Sequence, residues 1–248
     1  MVRTANLGYP RLGSNRELKR ALEGFWTGKL TAAELLEAGQ ALRRTHWQLQ
    51  QAAGIDVIPS NDFSLYDHVL DTTVMVGAIP ERYRPLDPNA PLERYFAMAR
   101  GIQHNGLDIP AMEMTKWFDT NYHYIVPEIA ADQTFWLAST KIIDEFREAQ
   151  GLGIPTRPVL LGPVSYLLLS KPAAPGASPL AALPRLLPVY TEILNRLAGA
   201  GADWVQIDEP CLVLDLDPAA QAAYATAYDA LCQPSGPRLM LATYFGDL

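Results

Sequence analysis

Short apolar or β-branched runs alternate with long helical patterns from one end of the chain to the other. That alternation is the signature of βα units around parallel strands, and it excludes a sandwich or a helix bundle. The expected strands are residues 4–7, 55–58, 111–115, 159–161, 204–207 and 239–244, with 134–138 as an extra one. A barrel of eight βα units typically needs about 250 residues. Here 248 residues, many of them in insertions, supply about six principal strands. The expected fold class is therefore α/β, a (β/α)8 TIM-type barrel left incomplete after about six strands.

The helices carry start and stop signals. Thr31-Ala-Ala-Glu34 has the form of a capping box, in which hydroxyl and carboxylate satisfy orphan N–H groups, and Gly54 is placed to end that helix. Ser14 or Asn15 is expected to cap a shorter helix, along which Leu18, Ala21, Leu22, Phe25 and Trp26 recur at helical spacing. Further helices are expected at 91–101, 140–150, 180–199 and 218–231. The proline-rich stretch 171–179 reads as an exposed loop within one domain.

No apolar run approaches the roughly 20 residues of a bilayer-spanning helix, and no hydrophobic signal segment follows the start. Two cysteines, Cys211 and Cys232, fit a reducing compartment better than a disulfide framework, so a cytoplasmic protein with two buried thiols is expected. A formal net charge of -7 argues against nucleic acid as partner. An anionic ligand must then be met by a local basic cluster.

The four histidines, His46, His68, His104 and His123, are scattered, and no His, Cys or carboxylate grouping has the spacing of a zinc site. Glycine-rich phosphate loops and the nucleophile elbow of serine hydrolases are also missing. Two groups remain. Arg16, Lys19 and Arg20 share a helix face at i, i+3 and i+4, and a helix N-terminus adds to their attraction for carboxylates or phosphates. The simpler reading is a solvated face on which Lys19 pairs with Glu23. In the second group, Gln206-Ile207-Asp208-Glu209-Pro210 puts two carboxylates at a strand's carboxyl end, where barrel active sites are built. They can hold an amine or a metal, act as acid and base, or simply bond loop amides. The same rim can receive Asn61-Asp62-Phe63-Ser64, Lys116-Trp117-Phe118-Asp119 and Gly162-Pro163-Val164-Ser165.

Several long strings, in order, resemble one family. Asn6-Leu7-Gly8-Tyr9-Pro10-Arg11-Leu12-Gly13, Arg16-Glu17-Leu18-Lys19, Phe25-Trp26, Pro59-Ser60-Asn61-Asp62-Phe63-Ser64-Leu65-Tyr66-Asp67, Glu113-Met114-Thr115-Lys116-Trp117-Phe118-Asp119-Thr120-Asn121-Tyr122-His123-Tyr124, Leu161-Gly162-Pro163-Val164-Ser165-Tyr166 and Gln206-Ile207-Asp208-Glu209-Pro210 are similar to cobalamin-independent methionine synthase. The resemblance implies a cytoplasmic methyltransferase of methionine biosynthesis. Its family moves the methyl group of 5-methyltetrahydropteroyltriglutamate to homocysteine without cobalamin, on two face-to-face βα barrels.

By the same resemblance, residues 1–248 are the folate-contacting N-terminal barrel, incomplete, and the C-terminal barrel with zinc, homocysteine site and proton donor is absent. Folate-tail contacts carry over to Arg16, Glu17, Leu18, Lys19 and Lys116, with no catalytic residue and no metal ligand in this chain. Asp208-Glu209-Pro210 is implied to be a copy of a catalytic turn that has lost its duty. Methyl transfer from N5 needs a zinc-bound thiolate as nucleophile and an acid to protonate the leaving nitrogen. A chain with neither is expected to be inactive alone. The alternatives are a stand-alone binding or scaffold protein derived from the barrel, and a small α/β enzyme using Asp208 and Glu209.

Overall fold

The computed structural model describes residues 2–104, 106–233 and 235–246. In chain order the elements are α1 (Glu17–Trp26), α2 (Ala32–Ala52), β1 (Ile58–Ser60), α3 (His68–Met75), α4 (Pro91–Arg100), β2 (Ile102–His104), β3 (Leu107–Ile109), β4 (Met114–Lys116), β5 (His123–Ile125), β6 (Glu128–Ile129), α5 (Lys141–Gly151), β7 (Thr156–Leu161), α6 (Pro163–Leu168), β8 (Lys171–Pro172), α7 (Leu183–Gly199), β9 (Trp204–Asp208), α8 (Pro218–Leu231) and β10 (Arg238–Ala242). They fall into two compact units, Met1–Leu65 with Ile142–Val159, and Tyr66–Lys141 with Leu160–Leu248.

In the first unit α1 packs on α2 through Leu18, Ala21 and Leu22, the one face its helical spacing makes apolar. The Thr31 capping box forms as expected, with Glu34 N–H donating to Thr31 Oγ1 at 3.2 Å and Thr31 N–H to Glu34 Oε2 at 2.7 Å. Gly54, at φ 80°, turns the chain out of α2 in the left-handed region that glycine enters freely. Trp47, Ile58, Ala149 and Ile154 form a core in which Trp47 Nε1 donates to Pro59 O at 3.0 Å. Full burial of such a side chain contributes roughly 1.5–3 kcal/mol. β1 runs parallel to β7, Ile58 opposite Thr156 and Ser60 opposite Pro158.

The strand expected at 4–7 shrinks to a single parallel bridge between Ala5 and Val57. Asp56 is the reason: its carboxylate accepts Thr4 N–H at 2.7 Å and the Thr4 hydroxyl at 3.0 Å, taking the donor that a ladder would have used. The next strand lies three residues later than expected, at Ile58–Ser60.

In the second unit β9 and β10 pair in parallel from Trp204 opposite Arg238 to Asp208 opposite Ala242. α7 and α8 pack together, with Leu186, Tyr190, Ile193 and Leu197 of α7 fully buried. Residues 111–115 do not form a parallel strand. Met114–Lys116 instead pairs antiparallel with His123–Ile125, because Asp119-Thr120-Asn121 makes a tight turn in which the Thr120 hydroxyl donates to Trp117 O at 2.6 Å. Residues 134–138 are extended but unpaired in a sheet. Trp136 and Ala138 donate their N–H groups to Val76 O and Met75 O at the end of α3, satisfying carbonyls a helix terminus leaves open. The stretch expected as loop from residue 171 begins with a two-residue parallel pairing of β8 with β6.

The α/β class stands. Among the described residues no set of strands closes into a barrel, and the β2–β3 and β4–β5 hairpins are antiparallel insertions.

Candidate functional site

α1 begins without the expected cap. Neither Ser14 nor Asn15 caps it; the N-cap residue is Arg16, in the left-handed region at φ 60° and ψ 38°, with no side-chain cap bond. Glu17 does the local work instead. Its carboxylate accepts Asn15 N–H at 2.9 Å and Asn15 Nδ2 at 3.2 Å. The backbone N–H groups of Glu17 and Asn15, then the Asn15 side chain and the Arg20 charge, hold that carboxyl below the usual range against a small desolvation effect. Gly13 sits at φ 78°, where any side chain would be strained, and a Cβ there would also stand 2.2 Å from Glu17 Oε2.

This latch sets the loop so that the cations project around the start of α1. Among the described residues the Arg16 guanidinium has no hydrogen-bond or ion-pair partner. Lys19 sits 3.8 Å from Glu23, with both side chains more than half exposed, a pair worth little in water. Arg20 turns back to donate to Asn15 O. Leu18 is different: its side chain is 0% exposed and its N–H donates to Leu12 O at 3.2 Å. It belongs to the core and offers a ligand nothing polar.

Lys116 lies in the second unit, exposed at the end of β4 and opposite His123. Its ammonium has no partner among the described residues. Trp117, 5% exposed, fastens this hairpin by edge-on contacts with His68 at 4.5 Å and Tyr124 at 5.6 Å. Beside it Phe118 has φ 50°, a strained value for a bulky residue. Nothing in the sequence announced the positive φ of Phe118 or of Arg16.

The carboxylate rim resolves into a structural clamp and a second acid. Glu209 is fully buried; its carboxylate accepts Ser165 N–H at 2.8 Å and the Tyr228 hydroxyl at 2.9 Å. Burial pushes this carboxyl up, partly offset by those donors. Ser165 Oγ in turn accepts Cys211 N–H at 3.1 Å. Asp208 is only partly buried and accepts Gln206 Nε2 at 2.6 Å. A second buried acid escaped the sequence reading. Asp67 caps α3, accepting Val69, Leu70 and Ile125 N–H groups at 2.8, 3.0 and 3.1 Å, and burial pushes its carboxyl up to about 7 despite these donors. An Asp just before an apolar helical run was the available signal.

No group of three His, Cys, Asp or Glu side chains able to hold a metal ion forms among the described residues. His46 is buried in the first unit, His68 packs on Trp117 in the second, and His123 is exposed. The placement of the His104 side chain lies outside the described set. Cys211 is buried as expected; Cys232, also expected to be buried, is exposed at the C-cap of α8, where the chain leaves the helix. The residues present do not fit zinc. No helix among the described residues is long and apolar enough to cross a membrane.

Residues 3–248 match the family described as cobalamin-independent synthase, N-terminal domain. The 5-methyltetrahydropteroyltriglutamate–homocysteine methyltransferase of a Chelativorans species is 59% identical over 256 residues, covering 100% of this chain and 33% of that protein. The same enzyme of Salinibacter ruber is 56% identical over 253 residues, with the same coverage. A B12-independent methionine synthase from a Shewanella species, solved in complex with selenomethionine, is similar in fold at a TM-score of 0.59 and 18% identity, covering 86% of this chain and 53% of that one. The chain thus spans about a third of the length of the relatives it matches. It belongs to the cobalamin-independent methionine synthase family and corresponds to the N-terminal part of its members.

Proposed function

We propose that this chain is the folate-tail-holding part of a 5-methyltetrahydropteroyltriglutamate–homocysteine methyltransferase that acts in the cytoplasm in methionine biosynthesis. The observation that carries the reading is the unpaired Arg16 guanidinium at the start of α1, with Lys19 one turn further on and weakly engaged. In a protein of net charge -7 such a cluster has a purpose when its ligand carries several carboxylates. Arg16, Lys19 and Lys116 supply the charge. Glu17 supplies the loop latch that presents Arg16, and Leu18 anchors α1 beneath them.

In the longer protein the parallel pairs β1–β7 and β9–β10 belong to a (β/α)8 barrel completed by chain beyond these residues. Zinc, homocysteine and the proton donor are assigned, on the family resemblance, to a second barrel outside these residues. The 248 residues alone bind the triglutamate tail and turn nothing over. Calorimetric titration of 5-methyltetrahydropteroyltriglutamate into the wild-type chain and the Arg16→Glu variant tests this. A loss of at least tenfold in affinity is expected; equal affinities would leave Arg16 without a role.

A further inference from the structure

Lys116 is carried by a hairpin that no larger sheet holds in place. Among the described residues β4 and β5 pair only with each other, and an isolated two-stranded hairpin is marginally stable in water. Where Lys116 sits is therefore decided by what the hairpin is fastened to. Ladder bonds run from Val126 N–H to Glu113 O at 2.8 Å and from Trp117 N–H to Tyr122 O at 2.7 Å. Opposed residues of an antiparallel ladder alternate between bonded and non-bonded pairs. Met114–Ile125 and Lys116–His123, one step inside those two bonds, are thus pairs without mutual bonds. The Ile125 N–H then faces away from β4, in a residue that is 0% exposed, and has to find its acceptor elsewhere.

Asp67 supplies that acceptor. Its Oδ2 takes the Ile125 N–H at 3.1 Å while Oδ1 takes the Val69 and Leu70 N–H groups at 2.8 and 3.0 Å, so one buried carboxylate both caps α3 and ties β5 to it. His68, next in the chain, meets the Trp117 ring at 4.5 Å and the Tyr122 ring at 6.1 Å, on the residues adjoining Lys116 and His123. Two further ties lie toward β8. The Tyr124 hydroxyl donates to Leu169 O at 3.1 Å, and Lys171 pairs with Glu113 at 2.9 Å through exposed side chains, an ion pair that contributes little in water. We infer that Asp67 is a positioning residue for Lys116, fixing the hairpin to the start of α3 so that the ammonium is already in place for a glutamate carboxylate. The assignment rests on the folate-tail reading above and adds to it a residue that touches no ligand.

Asp67→Ser separates the two duties, since a serine hydroxyl still caps a helix but leaves the Ile125 N–H without its acceptor. The test follows amide hydrogen exchange at Ile125 by NMR and titrates 5-methyltetrahydropteroyltriglutamate into the 248-residue chain, Asp67→Ser, Lys116→Met and the double variant. Exchange at Ile125 should quicken by about tenfold or more in Asp67→Ser. That substitution should weaken binding by about tenfold when Lys116 is present and by less than about twofold in the Lys116→Met background. A merely structural loss would not depend on Lys116, so equal losses in the two backgrounds overturn the positioning role. Exchange at Ile125 that ignores Asp67→Ser overturns it as well. Asp67→Asn, which keeps the volume and one carbonyl acceptor, gives the same comparison should Asp67→Ser not fold. A wild type that does not bind, or a Lys116→Met variant that binds as well as the wild type, overturns the tail reading instead. In that case faster Ile125 exchange keeps Asp67 as the hairpin tie, and unchanged exchange removes it.

Discussion

Gly162 faces the carboxyl of Glu209 so closely that a Cβ built on it would stand 2.0 Å from Glu209 Cδ. The glycine opens α6 and the glutamate closes β9, so their contact ties two strand-end segments of the second unit together. Gly162→Ala should displace Glu209 from Ser165 N–H and Tyr228, leaving a fully buried carboxyl without its donors. A loss of about 3 kcal/mol or more in urea unfolding is expected. A loss below about 1 kcal/mol would mean that Glu209 is not the clamp described.

Two neighbours on α1 separate packing from charge. Leu18 is wholly buried and Lys19 is exposed. Leu18→Ala should cost about 2–5 kcal/mol of stability, while Lys19→Ala should stay within about 0.5 kcal/mol. Chemical denaturation of both variants gives the comparison. Comparable losses would contradict the division between core and charge at this helix.

Asp67 makes stability depend on pH in an unusual direction. Its carboxyl ordinarily titrates near 4 in an unfolded chain and is raised to about 7 in the folded one. Between those values the folded state holds a proton that the unfolded state has released, so this contribution falls as pH rises from about 4 to about 7 and is level above. Relative to Asp67→Asn, the wild type should lose on the order of a few kcal/mol across that window. Thermal unfolding at pH 4.5, 6 and 7.5 follows it. A difference between the two proteins that stays constant with pH would remove Asp67 from the account.

The α/β class and most helices were legible because they rest on local physics. The Thr31 capping box, the glycine exit at Gly54 and the apolar spacing of Leu18, Ala21 and Leu22 each follow from a few neighbouring residues. Strands were harder, since a strand is defined by its partner. Residues 111–115 look like a barrel strand until the turn at Thr120 folds them back on Tyr124, and residues 4–7 look paired until Asp56 takes the Thr4 donor. Of the site, the cations of the α1 helix could be named from spacing. The latch of Glu17 on Asn15 could not, because it depends on a left-handed Arg16 that no residue preference announces.

Metal chemistry gives a clean negative expectation. With no three-ligand grouping among the described residues, the dialysed chain should retain well under one zinc per molecule and should not methylate homocysteine. Elemental analysis with a methyl-transfer assay reads both. One tightly held zinc per chain would show that a ligand set had been missed.

The central claim is that the α1 cations and Lys116 exist to hold a chain of glutamates. Isothermal titration of mono- and triglutamate forms of 5-methyltetrahydrofolate at low and physiological salt tests it most directly. Charge attraction predicts tighter binding of the triglutamate, weakening as salt shortens the Debye length to about 8 Å. Lys19→Glu and Lys116→Glu should each cost on the order of 1–3 kcal/mol, as a charge-assisted hydrogen bond gives way to repulsion. Equal affinity for both tail lengths, unchanged by salt and by both charge reversals, would contradict the account and leave these cations as a solvated surface.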